Sequence, residues 1–137
     1  MKRLISCVAP LGALVLAIAG CGGGQSYSVT GRGPALSADA RIDVSPAGAN
    51  RQVVVSVDHL LPPERLGRQF STYTVWIVPP GGNPVPAGRL EYDRARRRGR
   101  LTTITPYEDF RVLVTAEPEM PLGAPSRAVV LSQDVIS

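Results

Sequence analysis

Cysteine and histidine are scarce in this 137-residue chain, which contains two cysteines and one histidine. Cys7 and Cys21 both lie near its amino terminus, so the sequence beyond them has no thiol for a disulfide. His59 cannot build a metal centre with Asp58, because adjacent strand residues point to opposite faces and such a site needs three or four converging ligands. A hydrolytic triad needs a positioned nucleophile and base, and no Gly-x-Ser-x-Gly motif is present. The sequence therefore predicts no metal, no cofactor and no enzymatic activity.

Aromatic residues and long apolar runs are also few. Aromatic residues make up 5% of the chain, whereas its 14 glycines and 13 prolines are spread along its length and disfavour long helices. The extended apolar stretch over residues 4–19 is interrupted by Pro10 and Gly12 and is shorter than the ~20 residues that a transmembrane helix usually needs. It follows Lys2 and Arg3, and together these features predict a secretory signal peptide.

The apolar stretch ends in a four-residue motif. An aliphatic residue is followed by two small residues and a cysteine, in the order Ile18, Ala19, Gly20 and Cys21. This motif resembles the lipobox of bacterial lipoproteins. The resemblance implies that a signal peptidase recognises the first three residues and cuts before Cys21, whose sulfur carries diacylglycerol. An ordinary signal peptide, with Cys21 as the first mature residue, is the alternative.

The lipobox implies a domain layout and a location in the cell envelope. Residues 1–20 would be removed, residues 21–26 would form the lipidated cysteine and a flexible tether spanning ~12 Å, and residues 27–137 would form one folded domain. Gly22 stands where an aspartate would resemble a signal for retention at the inner membrane, so the outer membrane is favoured if the source is Gram-negative. We expect as partners the membrane, through the lipid on Cys21, and an unidentified protein or envelope component, but no nucleic acid.

Alternating apolar and polar residues predict short strands in the domain. Residues 38–44, 52–58, 70–78 and 109–116 show the period of two that is typical of a strand, and turns rich in proline and glycine separate them. Seven or eight such strands predict an all-β fold, an immunoglobulin-like antiparallel β-sandwich, with a small barrel as the alternative. Trp76, on a central strand, is predicted to lie in the core and not on an exposed binding surface.

Five short motifs follow one another in the order of a known family. They are the segments 73–76, 88–90, 114–118, 125–126 and 129–131. Over roughly residues 50–132, the series resembles the extracytoplasmic β-domain of anti-sigma-K-type factors. The resemblance implies the β-domain alone, since we expect neither the family's cytoplasmic sigma-binding helices nor its membrane span here, and it assigns no functional residue. Acidic residues beside strand ends, Glu117 among them, are interpreted as solvated charge.

The densest charge in the chain is a run of arginines. Its members are Arg94, Arg96, Arg97, Arg98 and Arg100. One interpretation is a solvated hairpin turn, with Gly99 allowing the reversal. The other is a patch that binds anionic lipid headgroups or polyanions, at ~1 kcal/mol per basic residue near a membrane surface. Nucleic-acid binding conflicts with export from the cytoplasm.

These observations favour a membrane-anchored lipoprotein that presents a non-catalytic binding or interaction domain in the cell envelope. The alternative is a regulatory or sensory accessory, similar to anti-sigma factors, that acts through a membrane partner. Removing Lys2 and Arg3 with the signal peptide leaves 13 of the 15 basic residues against 11 acidic residues, so the mature protein is only weakly basic.

Overall fold

The computed structural model describes residues 23–120 and 123–137. The predicted signal peptide, its recognition residues Ile18, Ala19 and Gly20, and Cys21 lie outside the described residues. Within the described ranges, no helix is long and apolar enough to cross a membrane. The regular structure there consists of nine strands and two single-turn 3-10 helices, Gly33–Ala35 and Pro63–Arg65. The strands are β1 (Gln25–Thr30), β2 (Asp39–Ala47), β3 (Asn50–Asp58), β4 (Thr72–Val78), β5 (Val85–Arg89), β6 (Glu91–Asp93), β7 (Arg98–Thr105), β8 (Phe110–Glu117) and β9 (Val129–Val135).

The strands form two antiparallel sheets. Sheet A has the order β1-β2-β3-β7-β6 and sheet B has the order β5-β4-β8-β9. With β1 set aside as an added edge strand, these orders match the A-B-E-D and C′-C-F-G sheets of an immunoglobulin-like sandwich, so the predicted fold class is confirmed. The structure has nine strands where seven or eight are predicted. Residues 85–93 account for the difference, because they form two short strands, one in each sheet, that are joined at Leu90.

The core lies between the two sheets. Ile42 of β2, Val55 of β3, Val75 of β4 and Val112 of β8 are fully buried and belong to one hydrophobic cluster. Successive side chains of a strand point to opposite faces, so this one-sided burial explains the period of two in the sequence. Burying each such side chain contributes roughly 1.5–3 kcal/mol, and this packing must stabilise a domain whose sequence has no cysteine.

The folded domain begins earlier than predicted. β1 starts at Gln25, which pairs with Val44, and the Ser26 hydroxyl donates a 2.7 Å hydrogen bond to a carboxylate oxygen of Asp43. The side-chain amide of Gln25 also donates to the carbonyl oxygen of Ile136, 3.0 Å away. Residues 25 and 26 therefore belong to the sandwich, and the predicted tether over residues 21–26 is too long. The sequence predicts a first strand only over residues 27–32, because Gln25 and Ser26 are both polar and give no apolar alternation at the start of β1.

The strand pairing defines two opposite ends of the sandwich. The tether end contains Gln25, the β2–β3 turn and the carboxyl terminus. The distal end contains the β1–β2, β3–β4 and β8–β9 connections and the β6–β7 hairpin, because β7 starts beside the last residues of β3. The nine residues of β3 run from one end to the other, which corresponds to roughly 27 Å at ~3.4 Å per residue.

Candidate functional site

The arginine run forms the hairpin that joins β6 to β7. Asp93, the last residue of β6, accepts hydrogen bonds at one carboxylate oxygen from the backbone N–H groups of Ala95, 3.0 Å away, and Arg96, 3.1 Å away. This side-chain bridge stabilises the turn, as is common for aspartate. Arg97 then takes a left-handed backbone conformation, with φ at 55°, and the chain enters β7 at Arg98. The interpretation of the run as a hairpin turn is confirmed.

The assigned role of Gly99 in this turn is wrong. Gly99 lies inside β7, where it pairs with Val57 and Tyr92, and the reversal depends on Arg97. A Cβ atom added to Gly99 would lie 3.0 Å from the Cδ1 atom of Leu90. The glycine is therefore needed for close packing between β7 and the segment that joins β5 to β6.

The five arginines of the predicted patch differ in their contacts. Three of them are held in exposed ion pairs, while among the described residues Arg97 and Arg100 have no such pair. Arg100 lies on β7, beyond the hairpin loop. The hydrogen bonds from Arg94 lower the pKa of the Glu64 carboxyl. The ion pairs are Arg94–Glu64, Arg96–Asp93 (4.0 Å) and Arg98–Asp58 (2.9 Å).

Beside the hairpin lies a hollow of about 500 Å³, which we call the arginine hollow. Its lining residues are Ser37, His59, Leu61, Ala95, Arg96 and Arg97. They come from three connections at the distal end and include two arginines and the sole histidine, but no carboxylate. Two exposed acids contact the lining from outside it. Asp93 accepts hydrogen bonds from the hairpin backbone, and Asp39 contacts His59, with 3.1 Å between Oδ2 and Nδ1.

Two residues of the arginine hollow have unusual backbone conformations. Within residues 23–120 and 123–137, His59 and Arg97 are the two residues other than glycine with a positive φ, at 57° and 55°. A side chain in this left-handed region costs of order 1–3 kcal/mol, and such residues concentrate at functional sites. That both line the same hollow makes it the strongest candidate site in the described structure.

Two tyrosines, Tyr73 buried and Tyr92 partly buried, fix the β3–β4 connection that forms the floor of the hollow. The hydroxyl of Tyr73 donates to the carbonyl oxygen of Leu61, and the hydroxyl of Tyr92 donates to that of Leu60. Their rings meet edge to face, with centroids 5.7 Å apart. The N–H of Leu60 in turn donates to the carbonyl oxygen of Arg97, 2.9 Å away, which ties the β3–β4 connection to the hairpin. Burial raises the pKa of both phenols, so they remain protonated donors at neutral pH.

A second polar cluster lies on the outer face of sheet B, and the burial of its carboxylate, Glu117, was not predicted. Glu117, interpreted above as solvated charge, is 2% exposed. Its Oε2 atom accepts hydrogen bonds from the Thr115 hydroxyl and from the backbone N–H of Ser126, 2.8 Å away. Its Oε1 atom has no hydrogen-bond partner among the described residues. Glu117 therefore fastens the β8–β9 connection to the end of β8.

Trp76 belongs to the same cluster. Its indole N–H donates to the Thr115 hydroxyl, 2.9 Å away. The side chain is buried, as predicted, but it lies on the outer face of sheet B, opposite to the inward-facing Tyr73, Val75 and Ile77. A buried indole N–H needs a hydrogen-bond acceptor, and the hydroxyl of Thr115 supplies it. Because the same hydroxyl donates to Glu117, it connects Trp76 to Glu117.

This cluster brings together residues from the motifs that carry the family resemblance. Segments 73–76, 114–118 and 125–126 contribute Trp76, Thr115, Glu117 and Ser126. Glu117 lies on the outward face of β8, two residues beyond Thr115, so residue alternation predicts exposure and gives no signal of its burial. No protein-family model matches the chain, and a comparison with curated proteins also finds no match. Among the described residues, no group of three or more histidine, cysteine, aspartate or glutamate side chains could hold a metal ion.

Proposed function

We propose that this protein is a lipoprotein of the bacterial cell envelope, anchored through the lipid on Cys21. It holds a non-catalytic immunoglobulin-like sandwich that binds its partner through the arginine hollow at the distal end. In a Gram-negative source, the outer membrane is the favoured site. The sandwich is the scaffold in this proposal, and the hollow is its binding surface.

The observation that carries the proposal is the position of the hollow relative to the anchor. Gln25 lies at the tether end, and the four residue-to-residue steps from Cys21 to Gln25 reach ~14 Å at most when fully extended. The arginine hollow lies at the other end of strands that are roughly 27 Å long. An upright domain thus presents the hollow away from the anchoring membrane. This argues against the headgroups of that membrane as the partner of the arginines and favours a component further out in the envelope.

Binding is favoured over catalysis by the contacts in the hollow. Asp39, His59 and Ser37 are the residue types of a hydrolytic triad, but within the described residues Ser37 makes no hydrogen bond to His59. The His59 side chain is also 73% exposed, so bulk water surrounds it. A general base needs a nucleophile within hydrogen-bond reach, and His59 has no such hydrogen bond to a hydroxyl among the residues that the structure describes.

The anchor is tested with two cysteine variants of the full-length precursor. Cys21→Ser should abolish palmitate labelling and move the protein from the detergent phase to the aqueous phase in Triton X-114, because serine cannot form the thioether. Cys7→Ser, within the predicted signal peptide, is the matched control and should leave both unchanged. An unlabelled wild-type protein, or equal labelling of the Cys21→Ser variant, would refute the lipoprotein proposal.

A second candidate function is a regulatory accessory that acts through a membrane partner. It is favoured by the cluster of Trp76, Thr115, Glu117 and Ser126, all of which come from the motifs shared with anti-sigma-K-type β-domains. A pull-down from labelled membranes distinguishes the two candidates. Retrieval of an integral-membrane regulator would favour the second, and retrieval of a wall or envelope component would favour the first.

A further inference from the structure

We infer that the arginine hollow binds a phosphate group, carried by an anionic ligand outside the anchoring membrane. This inference rests on the proposed function, because it assumes that the distal end is the binding surface. The lining supplies Arg96 and Arg97 from the hairpin, His59 from the β3–β4 connection and Ser37 from the β1–β2 connection.

The charges of the hollow select an anion. Arg97 has no ion pair among the described residues, and the 4.0 Å contact of Arg96 with Asp93 is long and solvent-exposed. An exposed pair of this kind contributes little and is readily exchanged for a ligand. No carboxylate is among the lining residues, although Asp39 contacts His59 from outside the lining, 3.1 Å away. Arg97 is therefore the lining cation that has no carboxylate partner among the described residues. Guanidinium groups bind phosphate and carboxylate through paired N–H donors, so the charge alone leaves these two classes.

The arrangement of the donors favours phosphate. Polar residues from three separate connections line the hollow: Ser37, His59, and the pair Arg96 and Arg97. A phosphate group has several oxygens pointing in different directions and can accept hydrogen bonds from all three sides. A carboxylate presents two oxygens in one plane and would leave one side of the lining unused.

The backbone supports the same conclusion. Glycine or asparagine would occupy a left-handed position at lower cost than His59 or Arg97 does. The hairpin and the strand end would form equally well with those residues. The costly choices are explained if the side chains themselves are needed, and the hydrogen bond from the Leu60 N–H to the Arg97 carbonyl oxygen fixes the positions from which they extend.

The probe for the test is inorganic pyrophosphate, added to the mature lipidated protein in neutral detergent. His59 is the sole histidine of the chain, so its ring resonances in an NMR spectrum are unambiguous and report directly on the hollow. We expect saturable shifts of these resonances with pyrophosphate and competition by sulfate, but no comparable shift with acetate.

The variants at position 97 keep a residue that can adopt the backbone conformation and change either the charge or the hydrogen-bond donors of the side chain. Arg97→Asn retains a residue that tolerates the left-handed conformation and should weaken pyrophosphate binding about tenfold or more, since charge-assisted hydrogen bonds are lost. Arg97→Lys keeps the charge without the paired donors and should recover only part of the affinity. Arg111→Gln, at the tether end, is the matched control and should bind like the wild type. Unchanged His59 resonances on titration, or equal weakening by Arg97→Asn and Arg111→Gln, would overturn the inference.

A second arm identifies the source of the phosphate. Phosphatidylglycerol vesicles are sedimented with the full-length Cys21→Ser protein, which lacks the lipid, alongside its Arg97→Asn derivative. Retention that requires Arg97 would identify a lipid headgroup as the phosphate source, and pyrophosphate binding without retention would identify a soluble or polymeric phosphate ligand. If the wild-type protein is lipidated but neither pyrophosphate nor vesicles are bound, this inference is overturned and the proposed anchor stands. If the wild-type protein binds pyrophosphate but carries no lipid, the anchor alone is overturned.

Discussion

Glu117 gives the sharpest stability prediction, because its contacts are few and buried. Glu117→Ala removes the acceptor of the Thr115 hydroxyl and of the Ser126 N–H. Hydrogen bonds to a charged group contribute about 1.5–3 kcal/mol each, and the loss is partly offset because the unpartnered Oε1 atom also disappears. We expect the free energy of unfolding to fall by roughly 2–4 kcal/mol.

Two further variants separate the hydrogen bonds from simple loss of volume. Glu117→Gln keeps one acceptor oxygen but introduces buried donors, and it should cost about half as much as Glu117→Ala. Glu119→Ala removes an exposed carboxylate from the same connection and should change stability by less than about 0.5 kcal/mol.

The assay uses Trp76, which is the one tryptophan of the chain and part of the same cluster. Urea denaturation followed by its fluorescence gives the free energy of unfolding. In Glu117→Ala, a red-shifted emission before the main transition would report local opening of the β8–β9 connection. If Glu117→Ala and Glu119→Ala unfold at the same urea concentration with the same native emission, the proposed role of Glu117 as a fastening residue is wrong.

Two other predictions concern the core and the floor of the hollow. Val55→Asp should unfold the domain, because it buries an unpaired charge, whereas Ser56→Asp on the outer face should fold; circular dichroism and thermal melting compare them. Burial raises the pKa of Tyr73, so the unfolded state loses its phenolic proton first as pH rises past its ordinary pKa of about 10. The contribution of Tyr73 to stability should therefore be constant below about pH 10 and be lost above it, so stability should decline less steeply there in Tyr73→Phe. Equal declines above pH 10 in urea melts of the two proteins would contradict this.

The strands of the core could be predicted because their chemistry is local. Apolar side chains recur at every second position over residues 53–57 of β3 and 110–116 of β8, and burial on one face of a sheet needs nothing more than this alternation. The ends of the strands were harder to predict from the sequence. Pro46 indicates a turn, yet it lies within β2 and pairs with Arg51 of β3. The pairing of β1 with β2 ends at Val44, so β2 has a neighbour on only one side at Pro46. A proline is tolerated at such an edge position.

The candidate site could be predicted only in part. The arginine run marks the hairpin, but the hollow also needs Ser37 and His59, which are distant in sequence and meet through the pairing of β2, β3 and β7. Nothing in the sequence indicates that Arg97 has a left-handed backbone conformation, since Gly99, two residues later, is the residue expected to adopt it. The burial of Glu117 likewise depends on the β8–β9 connection folding back onto its strand.

The central claim is that the anchor and the binding surface lie at opposite ends of the sandwich. A photoreactive amino acid in place of Ala95, which lines the arginine hollow, is compared with one in place of Asn83, in the β4–β5 loop at the tether end. After irradiation of intact cells, we predict that the Asn83 probe crosslinks to lipid of the anchoring membrane and that the Ala95 probe crosslinks to another component, with little lipid. Equal lipid crosslinking from both positions would contradict the account.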